Sequence, residues 1–310
     1  MGNRVAQRAL VSTLSQPEIL PKATMAGKRY SLEQGDLDDH IINLIEMKGG
    51  SPHADLIKEV ILTALKLVEQ PASRLDVKIL NAALRELRFA FKLFKKYRHI
   101  RKVTVFGSAR TPEDNPAYQQ AADFASRVVK HGYMVITGAG DGIMKGAQEG
   151  AGRKMSFGVN IQLPFEQNPN IYIENDPKLV TFKYFFTRKL IFVKETDAIA
   201  LFPGGFGTLD EMFESLTLMQ TGKSDIMPIV LIDTPGGNYW TEWREHFNRH
   251  FLKRGLISEE DMSFFKVTSS VEEAVGEVTG FYRNFHSYRF IRDSLVVRHN
   301  HEITDDHLKD

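Results

Sequence analysis

A chain of 310 residues with 42% apolar content can hold one large or two modest domains around a sizeable core. Lys and Arg number 40 against 39 Asp and Glu, so no net field draws nucleic acid or an anionic membrane, and any basic site must be local. The lack of cysteine excludes disulfides, thiol catalysis and thiolate zinc sites, and with no apolar stretch of signal-peptide length in Met1 to Arg29 or of transmembrane length elsewhere, a cytoplasmic protein is expected.

Residues 1 to about 50 are polar and mixed, with Pro17, Pro21 and Gly49-Gly50 as punctuation, and predict short helices or a loosely held arm. Apolar residues at helical spacing then predict helices from Ala54 to Glu69 and from Ser73 to about Tyr97. The basic run Lys92 to Arg101 reads as a solvated helix end rather than an RNA patch. Lys102 to Phe106 is a buried strand that ends in Gly107-Ser108-Ala109-Arg110, a helix follows from Pro116 to His131, and Tyr133 to Thr137 is a second strand. Strand and helix alternation argues for a parallel sheet.

The second strand runs into Gly138-Ala139-Gly140-Asp141-Gly142, which opens a helix to about Lys154. Two loops able to hold polar ligand groups, at Ser108 and at Gly138 and Gly140, thus fall on one edge of the sheet. The glycines do not match the dinucleotide fingerprint, no acidic residue closes the next strand, and no Walker loop occurs, so neither a nicotinamide cofactor nor a P-loop nucleotide is expected. A third strand spans Ser156 to Leu163 and leads to Pro164-Phe165-Glu166, Asn168 to Pro177 is a polar loop at the rim of a pocket, and Lys178 to Phe182 is a short strand. The helix Tyr184 to Lys194 carries Arg188 and Lys189 among Phe185, Phe186, Leu190, Ile191 and Phe192, so apolar packing there does not need the arginine.

Asp197 to Phe202 is a buried strand, and Pro203-Gly204-Gly205-Phe206-Gly207-Thr208-Leu209-Asp210-Glu211 carries it into a helix from Leu209 to Gln220 with Thr208 as N-cap. Three glycines in four positions allow positive φ and the close approach of a ligand to main-chain N–H groups at the positive end of a helix dipole, a seat for an anion such as phosphate. Further on, Met227 to Asp233 and Lys266 to Thr268 read as strands, Tyr239 to Lys253 and Val271 to Phe285 as helices, and Tyr288 to Arg298 as strand-like. His299, His301 and His307 are scattered near the C-terminus and make no metal site.

The motif Pro203 to Glu211, with Arg188-Lys189 ahead of it, closely resembles the signature of the Lonely Guy family of nucleoside 5'-monophosphate phosphoribohydrolases, long labelled lysine decarboxylases. The resemblance covers roughly residues 100 to 282 and reproduces the family's spacing, with Arg188 preceding Pro203 by 15 positions and Glu211 by 23. It implies a Rossmann-like, doubly wound α/β domain at 99–285, with an N-terminal helical extension at 1–98 and a C-terminal extension at 286–310. It also implies Arg188 and Glu211 as catalytic residues. Ser108, Gly138, Gly140, Glu166, Lys189, Gly204, Gly205, Phe206, Gly207, Thr208 and Thr217 become substrate contacts. Many members carry Met-His where Phe185 and Phe186 stand, which alters the wall facing base or ribose.

The expected activity is hydrolysis of AMP or a cytokinin riboside 5'-monophosphate to free base and ribose 5-phosphate, by a homodimer or larger homo-oligomer without cofactor or metal. The alternative is a regulatory protein that binds the nucleotide without turning it over. Lysine decarboxylation is disfavoured, because neither Lys189 nor Lys194 sits in a pyridoxal phosphate motif.

Overall fold

The computed structural model describes residues 35–70, 72–164, 168–292 and 294–303, and the chain divides into two compact units between Asn81 and Ala82. The first holds α1 (Gly35–Met47), α2 (Ala54–Glu69) and the first turns of α3 (Arg74–Phe94). Ile41, Ile45 and Leu62 form its apolar cluster, and Lys58 pairs with Asp38 at 2.7 Å. The sequence predicts a division at 98/99, whereas the C-terminal half of α3 lies in the second unit, where Ala90 and Phe94 are buried in the sheet's core. The expected arm before residue 35 and the tail with His307 lie outside the described residues, and so does Glu166.

The second unit is built on β1 (Lys102–Phe106), β2 (Met134–Thr137), β3 (Ser156–Ile161), β4 (Leu179–Phe182), β5 (Ala198–Leu201), β6 (Ile229–Ile232) and β7 (Phe265–Thr268). They form one seven-stranded sheet in the order β4-β3-β2-β1-β5-β6-β7, and every pairing is parallel. The helices are α4 (Pro116–Lys130), α5 (Ile143–Ala151), α6 (Phe185–Glu195), α7 (Phe206–Gln220), α8 (Tyr239–His250) and α9 (Val271–Asn284). This is the doubly wound, parallel α/β fold expected from the strand and helix alternation.

Period-two alternation explains why the strands read as unbroken apolar runs. Ile199, Leu201, Ile229 and Leu231 face a cluster with Ala90 and Phe94 of α3, Phe192 of α6, Met212 of α7 and Trp240 of α8. Ala198, Ala200, Val230 and Ile232 face the other way, against α4, α5 and α9. Helices on both faces leave the strand ends as the places where polar chemistry can reach the sheet.

Local signals set the helix starts. Asn115 accepts from the Ala117 N–H at 2.9 Å with Pro116 in the first turn of α4, and Ser270 caps α9 through the Glu273 N–H. The C-terminal stretch forms a hairpin, β8 (Phe285–Ile291) with β9 (Ser294–His299), where the sequence suggested a single strand-like core. The turn residue Arg292 takes a φ of 54°, an uncommon conformation that a charge-rich sequence does not announce.

Helices α4 and α5 pack closely through glycine. A Cβ on Gly150 would lie 1.9 Å from the Ala122 carbonyl oxygen, a backbone atom that cannot step aside. Gly276 on α9 has open space around its Cα. Gly150→Ala is therefore expected to destabilise the protein by about 1–3 kcal/mol or more through overpacking. Gly276→Ala should stabilise it by about 0.5–1 kcal/mol, a contrast readable as opposite shifts of the urea midpoint.

Candidate active site

The strand order reverses between β1 and β5, which are neighbours in register, with Val103 opposite Ala198 and Phe106 opposite Leu201. From β1 the chain leaves through α4 towards β2, and from β5 through α7 towards β6, so a crevice opens outside their carboxyl ends. Ser108 ties the crevice together. Its N–H donates to the Pro203 carbonyl at 3.1 Å, its carbonyl accepts from the Ile143 N–H at 3.0 Å, and its hydroxyl accepts from the Arg110 N–H at 3.1 Å. One residue thereby holds the loop after β1, the loop after β5 and the start of α5.

The glycines serve closeness rather than unusual dihedrals. Gly204, Gly205 and Gly207 are absent from the positive-φ positions, contrary to the sequence expectation, while Gly142 at the start of α5 has a φ of 61°. A Cβ on Gly204 would sit 2.2 Å from Thr208 Oγ1 and 3.0 Å from the Ser108 nitrogen, so only glycine lets these two loops touch. Around Gly205 and Gly207 nothing lies within 4 Å of a would-be Cβ, and that open side faces the crevice.

Helix α7 starts at Phe206 with Gly205 as N-cap, three residues before the predicted start, so Thr208 lies inside the first turn and does not cap it. The N–H groups of Thr208 and Leu209 turn back to the Gly205 carbonyl at 3.0 and 3.2 Å. Those of Gly205, Phe206 and Gly207 are left at the positive end of a helix of 15 residues, donors for an anion.

One turn further along, Glu211 is 4% exposed and meets Arg188 of α6 through a single contact, Nη2 to Oε1 at 3.5 Å. The guanidinium lies over the rings of Phe185 and Phe192 at 4.9 and 5.5 Å, and its Nε–H is buried with no acceptor among the described residues. Aromatic faces thus pack against Arg188 beside its one charge contact, where the sequence suggested that packing there does not involve the arginine.

Burial raises the Glu211 carboxyl to about 7, outweighing Lys189 and Arg188, which lower it, while Glu214 and Asp210 add to the rise. Arg188 does not keep Glu211 firmly ionised, because the loss of water around the carboxylate exceeds one long ion-pair contact. Burial also lowers the Arg188 guanidinium, opposed by Glu211 and Asp210.

A cavity of about 780 Å³ brings these groups together. Arg188, Glu211, Ser108, Gly138, Gly205, Phe206, Gly207 and Thr208 line it, with Arg110, Met144 and Phe192 among the other walls. Phe206 stands at 92% exposure beside the glycine turn.

The remaining predicted residues among those described lie elsewhere. Lys189 bridges Asp210 and Glu214 at 2.9 Å each, and these carboxylates outweigh burial to hold its ammonium above the usual value. Gly140 gives its carbonyl to Asn170, Gly204 sits beneath Thr208 with its carbonyl accepting from Tyr239 at 2.6 Å, and Thr217 is exposed towards Phe247 and Phe264. Sequence reasoning missed the tethering role of Tyr239 and the place of Arg110 on the cavity wall. A cation directly after the first glycine turn was a signal for Arg110, whereas nothing in the sequence marks Tyr239. Among the described residues no group of His, Asp and Glu could hold a metal ion, and no helix is long and apolar enough to cross a membrane.

Residues 141–278 match the model of a family described as possible lysine decarboxylase. A cytokinin riboside 5'-monophosphate phosphoribohydrolase of Mycobacterium tuberculosis is 26% identical over 168 residues, covering 54% of this chain and 88% of that protein. Among solved structures, the molybdenum cofactor carrier protein of Chlamydomonas reinhardtii is similar over 58% of this chain and 97% of its own, at 18% identity and a TM-score of 0.41. The DNA processing protein A of Helicobacter pylori is similar over 60% of this chain and 83% of its own, at 13% identity and a TM-score of 0.42. The family match takes in the segment from Arg188 to Glu211, and both sequence matches support the resemblance of this α/β unit to the Lonely Guy family.

Proposed function

We propose that this protein hydrolyses the N-glycosidic bond of a nucleoside 5'-monophosphate, AMP or a cytokinin riboside 5'-monophosphate, to free base and ribose 5-phosphate. The observation that carries this is a buried carboxyl near neutrality and a guanidinium with an unused N–H on the wall that also holds the free N–H groups of Gly205, Phe206 and Gly207. A terminal phosphate seated on those donors, with Arg110 on the same wall, lays the ribose towards Glu211.

The bond to the base breaks with its electron pair leaving on the base, water supplies the hydroxyl at C1′, and a proton ends on the base. Positive charge grows on the sugar meanwhile, and the Glu211 carboxylate stabilises it or orients the water. Arg188 supplies a donor to a substrate oxygen through Nε and balances Glu211 through Nη2. A homodimer belongs with this reading, since Phe185, Phe186 and Leu190 on α6 are exposed and a second copy can cover them.

Free base released from AMP, GMP, CMP, UMP and isopentenyl-AMP tests the reaction. Glu211→Gln should lower turnover by about 10²–10⁴-fold, Arg188→Lys by about 10²-fold, and nucleosides lacking the 5'-phosphate should react poorly. Wild-type protein that binds these nucleotides and releases no base from any of them would instead identify a nucleotide-binding regulator.

A second test is the pH profile. With the ionised carboxyl as the working form and a value of about 7, activity is low in acid and rises with pH. On that basis kcat/KM should climb about tenfold per unit towards pH 7 and level off above it. Glu211→Gln should flatten this limb.

A further inference from the structure

Arg188 touches Glu211 through one contact of 3.5 Å, and the rings that flank it, Phe185 and Phe192, belong to its own helix. Its position against Glu211 therefore depends on where α6 as a whole is held. The N-cap residue of α6, Tyr184, makes no side-chain cap. The acceptor comes instead from α3. Glu86 Oε1 accepts from the Lys183 N–H at 2.9 Å, and Oε2 accepts from the Thr187 hydroxyl at 2.6 Å. A carboxylate at a helix start is also favoured by the helix dipole.

The clamp is firmly mounted. Glu86, Ala90 and Phe94 follow at four-residue spacing on one face of α3, Ala90 and Phe94 are buried, and Phe94 stacks on Phe157 of β3 at 4.6 Å. Its moving end is next to the arginine. Thr187 is fully buried, and successive residues on a helix point about 100° apart, so fixing Thr187 against α3 fixes the direction of Arg188.

Given the proposed role of Arg188 and Glu211, on which this rests, we propose that Glu86 is a positioning residue that clamps the start of α6 and so holds Arg188 at its distance from Glu211. The stretch of α3 that carries it becomes part of the machinery rather than an appendage.

The test uses Glu86→Ala, Glu86→Gln and Thr187→Val in the full chain, with two readouts. The first is the titration of the Glu211 carboxyl by NMR of protein with carbon-13-labelled glutamate, its signal assigned by its loss in Glu211→Gln. Arg188 and Lys189 on α6 lower that carboxyl, while Asp210 and Glu214 on α7 raise it. Only the two cations move with the clamp. Glu86→Ala should therefore shift the midpoint upwards by about half a unit or more, whereas Glu86→Gln, which keeps an acceptor for Lys183 and a partner for Thr187, should stay near wild type.

The second readout is turnover of AMP, expected to fall about 10²-fold in kcat for Glu86→Ala and to be restored in Glu86→Gln. Thr187→Val keeps the side-chain size and the Lys183 bond, so it carries both readouts in a folded protein even where Glu86→Ala does not fold. A smaller shift in the same directions supports the clamp. Loss of thermal stability with the Glu211 titration unchanged in both Glu86→Ala and Thr187→Val overturns it, because a cap that only stabilises would do that. Wild-type protein that releases no base would remove the hydrolase reading, yet the titration would still decide on the clamp.

Discussion

Everything at the crevice turns on one carboxyl group kept out of water. Glu211 lies on the inner side of α7, where hydration is lost and the facing guanidinium stands at 3.5 Å rather than in a tight fork. The rise of its pKa from 4.5 to about 7 has burial as its largest cause, opposed by the attraction of Lys189 and Arg188. A carboxyl poised there can change charge at physiological pH, as the proposed chemistry requires.

The parallel sheet places this group beside the N-terminus of α7 and its free N–H groups. Reversal of strand order between β1 and β5 opens the crevice, and Ser108 closes three loops around it through its main-chain N–H, its carbonyl and its hydroxyl. Glycine at 204 permits contact between two of those loops, and glycine at 205 and 207 leaves the helix N–H groups uncovered. Short side chains at these points do two opposite tasks, bringing protein against protein at one and leaving room for a ligand at the others.

Much of this was legible in the chain. Alternating strands and helices, including β1 and α2 at their observed bounds, follow from apolar periodicity, because both faces of the sheet are covered and the strands are uniformly apolar. The motif around Gly205 pointed to the crevice, and Arg188 and Glu211 do converge there. Three features were hidden. The first turn of α7 contains Phe206, Gly207 and Thr208, a start masked by the poor helix propensity of glycine, which the Gly205 cap and the packing of the helix override. The state of Glu211 depends on burial, a tertiary quantity that charge spacing does not encode. The division of α3 between two units is a tertiary outcome, and the reach of Glu86 to Thr187 joins residues 101 positions apart, a distance at which periodicity says nothing.

The most direct measurement is a crystal structure of Glu211→Gln protein soaked with AMP. The account predicts the phosphate within about 2.7–3.1 Å of the main-chain nitrogens of Gly205, Phe206 and Gly207, with C1′ of the ribose turned towards residue 211. Phosphate bound away from that turn, or a ribose facing away from residue 211, would contradict it.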